Sequence, residues 1–307
     1  MKKSWPNIFL FISFLISTSL NVMCQPSAKF QVIDDLGNKV TFNSVPLRVI
    51  ALAPNLTEMI YELEVEDYLV GNTLYCNYPS AAKEITKVGD MLTFDYEKII
   101  SLKPDLLFIT VEGNTKATYD KFTELGLKIF VSNPRNFEGI KKTFLDMGNI
   151  FKMEKATEEK VVEWTSIVDN IKKEGKKYPA ETIMFLIEVN PIMLAGSNTF
   201  LNEYIELCGM KNIAENSTLN YPIYSREEIL KRDPDFIAYP TGDKKDIKYI
   251  IEIYPEWKEL KAVKNNQVLF LDWDLFSRPG PRFAQALKEM FIRLHPEEIS
   301  RVGRSMK

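Results

Sequence analysis

The sequence EKIISLKPD at residues 97–105 recurs as EEILKRDPD at residues 227–235, an offset of 130 positions (227 − 97). In each copy, apolar residues at helical spacing are followed by Pro-Asp and then by a short apolar run typical of a buried strand. Proline ends a helix because it lacks an N–H group and disfavours helical geometry in the residue before it. One helix–Pro-Asp–strand unit in each half of the chain predicts two similar α/β lobes. The repeat also places one glutamate, Glu97 or Glu227, at the same point of each lobe.

Strands and helices alternate on both sides of each copy of the repeat. After a hairpin that begins at residue 30, short buried strands are predicted at 48–52, 68–71, 106–110, 128–131, 182–187, 236–239 and 268–271. Helices are predicted between them, among others at 96–102, 115–125, 200–207 and 283–294. This alternation predicts two Rossmann-like α/β lobes with parallel sheets. The predicted organisation is a signal peptide at 1–24, an N-terminal lobe at 25–137, a connecting helical segment at 138–178 and a C-terminal lobe at 179–307.

The connecting segment differs from the rest of the chain. It carries Val161, Trp164, Val168 and Ile171 with charged residues between them, which is helical spacing. We therefore expect one long α-helix that joins the two lobes as a stiff strut.

A capping box is predicted at the start of the first helix. Asn55-Leu56-Thr57-Glu58 has the required spacing and precedes an apolar stretch. In this interpretation Glu58 reaches back to the backbone at the helix start.

The N-terminus has the pattern of an export signal. Lys2 and Lys3 precede an apolar run at 8–20, which is shorter than the ~20 residues that a membrane-spanning helix needs. The mature protein is therefore expected in the periplasm or on the outer face of a membrane. Cys24 follows the run, either as the lipid-bearing first residue of a lipoprotein or as a residue lost with the signal or left in a tether.

Composition argues against several classes of function. The 307 residues are 26% charged with a formal net charge of -3, and the sequence has no basic block that would favour binding to nucleic acid. His295 is the single histidine, whereas a transition-metal receptor or zinc enzyme normally uses several imidazoles. No metal, cofactor or enzymatic activity is therefore predicted, and an exported hydrolase, with His295 as its base, is a remote alternative. Cys76 and Cys208 could pair after export, although their separation in sequence does not show proximity.

Several short motifs carry a family resemblance through their order and spacing. They are Asp34-Asp35-Leu36-Gly37, Pro54 with Thr57-Glu58, Tyr75-Cys76-Asn77-Tyr78-Pro79, Leu102-Lys103-Pro104-Asp105, Leu207-Cys208-Gly209 and Arg278-Pro279-Gly280-Pro281-Arg282. With these motifs, the chain resembles the periplasmic binding proteins whose two lobes are joined by one backbone helix. Those proteins serve ABC importers for cobalamin, siderophores and haem. Asn190-Pro191, Tyr221-Pro222 before Ser225-Arg226-Glu227, and Asp272-Trp273 before Arg278 make the cobalamin-binding proteins the most similar group.

The resemblance implies a ligand cleft between the lobes. The positions that match the family's ligand-binding residues are Tyr75, Met91, Met193, Tyr221, Asp272 and Arg278. Met91 and Met193 could instead be core residues, and Arg278 a structural salt-bridge partner. The expected ligand is cobalamin or another corrinoid, with a ferric siderophore or haem as the alternative in the same fold.

The resemblance also implies partners. The family uses one glutamate of each lobe to bind arginines of the membrane permease, and those positions match Glu97 and Glu227. Opposite charges on two separated arms fix the orientation of a complex. The expected partners are thus the ABC permease with its ATPase, and the small-molecule ligand, and the receptor is expected to be a monomer. Cys208 matches half of a family disulfide, but the last helix offers no partner, so a buried thiol is expected with pairing to Cys76 left open.

Overall fold

A computed structural model describes residues 29–242 and 246–296. The predicted signal peptide, including Cys24, lies outside the described residues. Within the described ranges, none of the helices is both long enough and apolar enough to cross a membrane.

The N-terminal lobe contains a hairpin and a four-stranded parallel sheet. Its strands are β1 (Phe30–Ile33), β2 (Lys39–Phe42), β3 (Val49–Ala51), β4 (Leu69–Asn72), β5 (Leu106–Thr110) and β6 (Ile129–Ser132). β1 and β2 pair antiparallel, and the parallel sheet has the order β4-β3-β5-β6. Its helices are α1 (Pro54–Glu62), α2 (Tyr96–Ser101) and α3 (Lys116–Glu124), with short 3-10 helices at Glu66–Tyr68 and Ser80–Lys83.

Two helices occupy the segment between the sheets. They are α4 (Phe137–Phe151) and α5 (Glu154–Gly175), and Lys152 separates them in a left-handed conformation with φ of 61°. α5 contacts α4 and then two helices of the second lobe, at Phe200–Leu207 and Phe283–Leu294. The long helix expected between the lobes is therefore α5, whereas α4 packs against α1 and β1 of the first lobe.

The C-terminal lobe has a five-stranded, mainly parallel sheet. Its strands are β7 (Thr182–Glu188), β8 (Met193–Leu194), β9 (Lys211–Asn212), β10 (Phe236–Thr241) and β11 (Val268–Asp272). The order is β11-β10-β7-β8, with β9 also paired to β7 and only β8 antiparallel among the described strands of this sheet. Its helices are α6 (Phe200–Leu207), α7 (Arg226–Arg232), α8 (Ile247–Ile253), α9 (Lys261–Lys264), α10 (Trp273–Phe276) and α11 (Phe283–Leu294), with a 3-10 helix at Pro255–Glu259.

The sequence repeat corresponds to the same structural unit in both lobes. In the first lobe α2 leads into β5, and Asp105 accepts a hydrogen bond from the amide of Arg48 (3.0 Å), next to the start of β3. In the second lobe α7 leads into β10, and Asp235 accepts one from the amide of Thr182 (2.9 Å), at the start of β7. Each aspartate therefore joins the repeated unit to the neighbouring parallel strand. The predicted two-lobed α/β fold is confirmed.

A shared apolar core connects the two lobes. Phe137 at the start of α4 stacks on Phe283 at the start of α11, with ring centroids 5.2 Å apart. Phe283 stacks in turn on the fully buried Tyr204 of α6 at 4.5 Å. Close-packed rings between the lobes resist large relative rotation.

Candidate functional site

An open cleft of about 470 Å³ lies where the two lobes meet. The N-terminal lobe contributes Asn55, Tyr75, Met91, Thr110, Glu112 and Gly113 to its lining. The C-terminal lobe contributes Tyr221, Trp273, Asp274, Ser277, Arg278 and Pro279. Several of these residues come just after β3, β5 and β11, and in open α/β sheets ligands bind at the carboxyl ends of parallel strands.

A second cavity, of about 490 Å³, opens between α1, α5 and α11 on the side of Trp164 and Lys288. It is slightly larger, but it lies along helix surfaces rather than at strand ends. The cleft is the better ligand site because it lies at strand ends and its lining is predominantly apolar.

The loop after β4 presents Tyr75 to the cleft, and 56% of this residue is exposed. A buried network fixes the loop behind it. Thr57 donates to the thiol of Cys76 at 3.2 Å. The Lys87 ammonium donates to Asn72 Oδ1 at 2.7 Å and to the Cys76 carbonyl at 3.1 Å. Tyr75 is thus an exposed aromatic ring on a constrained backbone.

Tyr221 and Glu112 meet across the cleft. The Tyr221 hydroxyl lies 3.2 Å and 3.3 Å from the two carboxylate oxygens of Glu112, to which it donates. Arg135 also donates to Glu112. Burial, together with the adjacent Glu112 carboxylate, raises the pKa of Tyr221 well above its usual range. The phenol therefore stays protonated and acts as a donor.

Arg278 lines the cleft, but its guanidinium is already engaged. It donates to Glu58 at 2.8 Å, to Asp274 at 2.5 Å and to the carbonyl of Tyr75 at 3.2 Å. Arg282 donates twice more to Glu58, at 2.8 and 2.6 Å. Arg278 is 7% exposed and Glu58 is 2% exposed. These contacts join the lobes and favour the structural alternative for Arg278.

The capping box predicted at Asn55 and Glu58 is wrong. The N-cap of α1 is Ala53, with no side-chain capping bond. Asn55 instead donates to the carbonyl of Pro279 in the other lobe at 3.1 Å. The spacing was right for a cap, but buried arginines from distant sequence attract the Glu58 carboxylate more strongly than a helix end does.

Of the other three predicted ligand residues, Met91 lies in the cleft lining, whereas Met193 and Asp272 lie outside it. Met91 lines the cleft and covers Gly113, where a Cβ atom would come within 1.9 Å of the Met91 methyl carbon. Met193 is not among the cleft-lining residues and pairs with Ile223 in a strand-like bridge. Asp272 is also outside the lining, and its carboxylate accepts from the amide of Leu275 as the N-cap of α10. Four of the six predicted ligand residues are thus brought together: Tyr75, Met91, Tyr221 and Arg278.

Sequence reasoning missed Glu112 and Trp273. Glu112 comes two residues after β5, and Trp273 directly follows β11. Position after a buried strand could have identified both, because the carboxyl ends of parallel strands gather at one edge.

Glu97 and Glu227 are both exposed, and each is the second residue of its helix. Asp95 and Ser225 cap the two helices with their side chains. Hydrogen bonding by its own backbone amide and by Ser225 lowers the pKa of Glu227. Arg226 lies 3.5 Å from Glu227, so the two sites differ in local charge.

Cys76 and Cys208 are free, buried thiols that do not pair in the structure. Burial raises the pKa of the Cys208 thiol. His295 stacks on Tyr178 with ring centroids 3.6 Å apart and is absent from the cleft lining. Across residues 29–242 and 246–296, no group of three or more His, Cys, Asp and Glu side chains could hold a metal ion.

Comparison with known proteins gives a family match over most of the chain. A family model described as periplasmic binding protein matches residues 49–275. An uncharacterized ABC transporter substrate-binding lipoprotein of Bacillus subtilis is 32% identical over 274 residues, covering 86% of this chain and 85% of the relative. A vitamin B12-binding protein of Photorhabdus laumondii is 27% identical, covering 82% and 89%.

Solved structures agree with this match. The periplasmic vitamin B12 binding protein of Vibrio cholerae is 26% identical with a TM-score of 0.72, covering 83% of this chain and 98% of its own. A possible iron-binding (periplasmic solute-binding) protein of Staphylococcus epidermidis is 27% identical with a TM-score of 0.72, covering 82% and 100%.

Proposed function

The chain belongs to the periplasmic binding protein family and is a solute receptor of the ABC import type, and we propose that its ligand is a corrinoid such as vitamin B12. The observation that carries the proposal is the cleft at the carboxyl ends of the strands, with Tyr75, Tyr221 and Trp273 in its lining. Flat aromatic rings contribute large contact areas against a planar macrocycle. Relatives that are 25–27% identical over about four fifths of the chain are named vitamin B12-binding proteins, which supports the same ligand class.

A ferric chelate is the second candidate. The possible iron-binding protein of Staphylococcus epidermidis is as similar to this chain as the B12-binding relatives are. Tyr75 is an exposed phenol at the cleft and could contact an iron chelate. Tyr221 is a poor iron ligand because Glu112 and burial keep its hydroxyl protonated.

Calorimetry separates the ligand classes. We expect cyanocobalamin or cobinamide to bind the mature protein with a dissociation constant below about 1 μM. Haemin and a ferric siderophore serve as the competing probes, and haem ligated by tyrosine would also shift the Soret absorbance band. If none of the four binds below micromolar, both the corrinoid and the chelate proposals fail.

We infer that the chain itself catalyses no reaction and that transport is driven by the ATPase of its importer. The single histidine lies outside the cleft lining, against Tyr178. Ser277 is the one serine among the described residues that line the cleft, and no imidazole base accompanies it there. Incubation of a chromogenic ester with the purified protein should give no hydrolysis above buffer.

Glu97 and Glu227 are proposed as the two permease-docking residues. Both are exposed at equivalent points of the repeated unit. Glu227 also borders a depression of about 530 Å³ that includes Pro191 and Tyr254. An arginine of the permease could place its charge at Glu227 and its flat face against Tyr254.

Reconstituted vesicles test the docking proposal. Charge reversal at both sites, Glu97→Arg with Glu227→Arg, should abolish uptake while ligand affinity by calorimetry stays unchanged. Glu158→Arg is the matched control, because Glu158 is an exposed glutamate of α5 and lies outside α2 and α7, the helices that carry Glu97 and Glu227. Loss of ligand affinity in the double variant would assign the glutamates to the fold or the pocket instead.

Extracytoplasmic location follows from the family, and we infer that Cys24 carries a lipid anchor. The Bacillus subtilis relative is named a lipoprotein, which supports this assignment. Labelled palmitate should enter the full chain and not its Cys24→Ala variant. Equal labelling of both would reject Cys24 as the attachment site.

A further inference from the structure

We propose that Glu112 determines the specificity of the cleft, accepting hydrogen bonds from the amide groups at the edge of an uncharged corrinoid and repelling ligands that carry carboxylates. The inference rests on the proposed function, since it takes the cleft as the ligand site. It adds a role for a residue that lies in the N-terminal lobe, two positions after β5.

The charged residues of the cleft lining support the first part of this proposal, the exclusion of anionic ligands. Among the described residues that line it, the charged ones are Glu112, Asp274 and Arg278. The Arg278 side chain is only 7% exposed. Its guanidinium lies against two carboxylates, Glu58 at 2.8 Å and Asp274 at 2.5 Å. The one cation in the described lining is therefore neutralised from within the protein. An anionic ligand would find no uncompensated positive side chain there.

The geometry of Glu112 leaves its carboxylate able to accept hydrogen bonds from a ligand. Its side chain is 24% exposed and belongs to the cleft lining. Arg135 and Tyr221 donate to it from two sides, and this holds the carboxylate in one place. An ionised carboxylate has about four acceptor positions. Two donors leave acceptor capacity for groups of a ligand.

The groups at the edge of a corrin ring are suited to a carboxylate acceptor. A corrin ring bears primary amides, whose N–H groups can donate to a carboxylate. Hydrolysis of one amide gives a carboxylate of nearly the same size and shape. It would place a second anion beside Glu112, whose ion-pair partner is Arg135, so that one cation would face two anions. Charged hydrogen bonds are roughly twice as strong as neutral ones, and like-charge contacts oppose binding. The amide and the carboxylate thus differ mainly in charge, and charge is the property to which Glu112 responds.

The test uses the mature protein with cyanocobalamin, its isolated monocarboxylic acid derivatives and haemin as calorimetric probes. The wild type should prefer cyanocobalamin over at least one monocarboxylate by about tenfold or more. Glu112→Gln should reduce that preference by about tenfold, because the charge is lost, the size is kept and Arg135 loses its carboxylate partner. Arg135→Gln should increase the preference, because Glu112 then keeps its charge without compensation. A thermal melt of each variant checks that it is folded.

Opposite shifts in the two variants support the proposal, since a merely structural role would change both in the same direction. If cyanocobalamin binds but Glu112→Gln leaves the preference within twofold of wild type, the role of Glu112 is rejected while the corrinoid function stands. Tighter binding of haemin than of cyanocobalamin by the wild type would overturn the charge selection. Absence of binding by every corrinoid would overturn the proposed function together with this inference.

Discussion

Two of the polar contacts that join the lobes differ in burial. The buried cluster consists of Glu58, Arg278 and Arg282, and the Glu58 side chain is 2% exposed. The cleft bridge consists of Glu112 and Tyr221, and the Glu112 side chain is 24% exposed. Both connect an acidic residue of the first lobe to a donor of the second, yet the carboxylate of the cleft bridge is far more exposed to water and ligands than that of the buried cluster.

The difference in burial separates a structural role from a binding role. A carboxylate taken out of water requires nearly complete compensation, and two arginines provide it for Glu58. A partly exposed carboxylate keeps capacity to bind other groups. We therefore expect changes in the buried cluster to alter stability and changes in the cleft bridge to alter ligand binding.

The largest effect is expected at Glu58. Glu58→Gln removes the shared partner of Arg278 and Arg282 and leaves two buried cations with reduced compensation. Breaking a buried ion pair by removing one partner costs about 3–5 kcal/mol. The free energy of unfolding, measured by urea denaturation, should fall by an amount in this range.

Glu62→Gln is the matched control on the same helix. Glu62 pairs with Lys160 at 2.9 Å, but its side chain is 30% exposed and Lys160 is 44% exposed. Such surface pairs contribute about 0–1 kcal/mol. Equal losses in the two variants would show that burial does not separate the roles of these two carboxylates.

The sequence predicted elements whose ends carry local signals. α6 is predicted at 200–207 and lies there, because Thr199 caps its start and Gly209 adopts the left-handed φ of 79° just after its end. α11 likewise has its predicted bounds, 283–294. β8 and β9 were missed because each has only two residues and depends on pairing with β7.

The site was predicted less completely, for a physical reason. Glu58 was assigned to a helix cap from residues three positions away, whereas its partners Arg278 and Arg282 are 220 and 224 positions away. Periodicity and spacing do not identify contacts at such separations. Tyr75 and Tyr221 were found through the family resemblance, whereas Glu112 matched no motif and only its position after a buried strand could have pointed to the cleft.

An intermediate effect is expected at the cleft bridge. Tyr221→Phe removes the hydroxyl that donates to Glu112 and keeps the ring in the cleft. A hydrogen bond of this kind contributes about 0.5–1.5 kcal/mol to stability, and the released carboxylate changes the ligand surface. Ligand affinity by calorimetry should change severalfold while the protein remains folded.

The control for this variant is Tyr254→Phe. The Tyr254 hydroxyl donates to the carbonyl of Val189 at 2.8 Å, so the same chemical change occurs within one lobe. It should lower the melting temperature by a similar amount and leave ligand affinity unchanged. A matching change of affinity in both variants would remove the special role of the cleft bridge.

The smallest effect on stability and ligand affinity is expected at Gly113, next to Glu112 in the cleft lining. A Cβ atom at Gly113 would lie 1.9 Å from the methyl carbon of Met91 and 3.1 Å from Thr110, so Gly113→Ala must displace the end of the Met91 side chain. Methionine is flexible, so we expect a stability loss of about 1 kcal/mol or less and a weaker affinity of about threefold, since Met91 moves into the ligand space. In a Met91→Ala background the added methyl group no longer meets that side chain, and the same substitution should have little effect on affinity. Calorimetry on the four proteins of this double-mutant cycle measures the coupling between the two residues. Additive effects would mean that Met91 does not form this wall of the cleft.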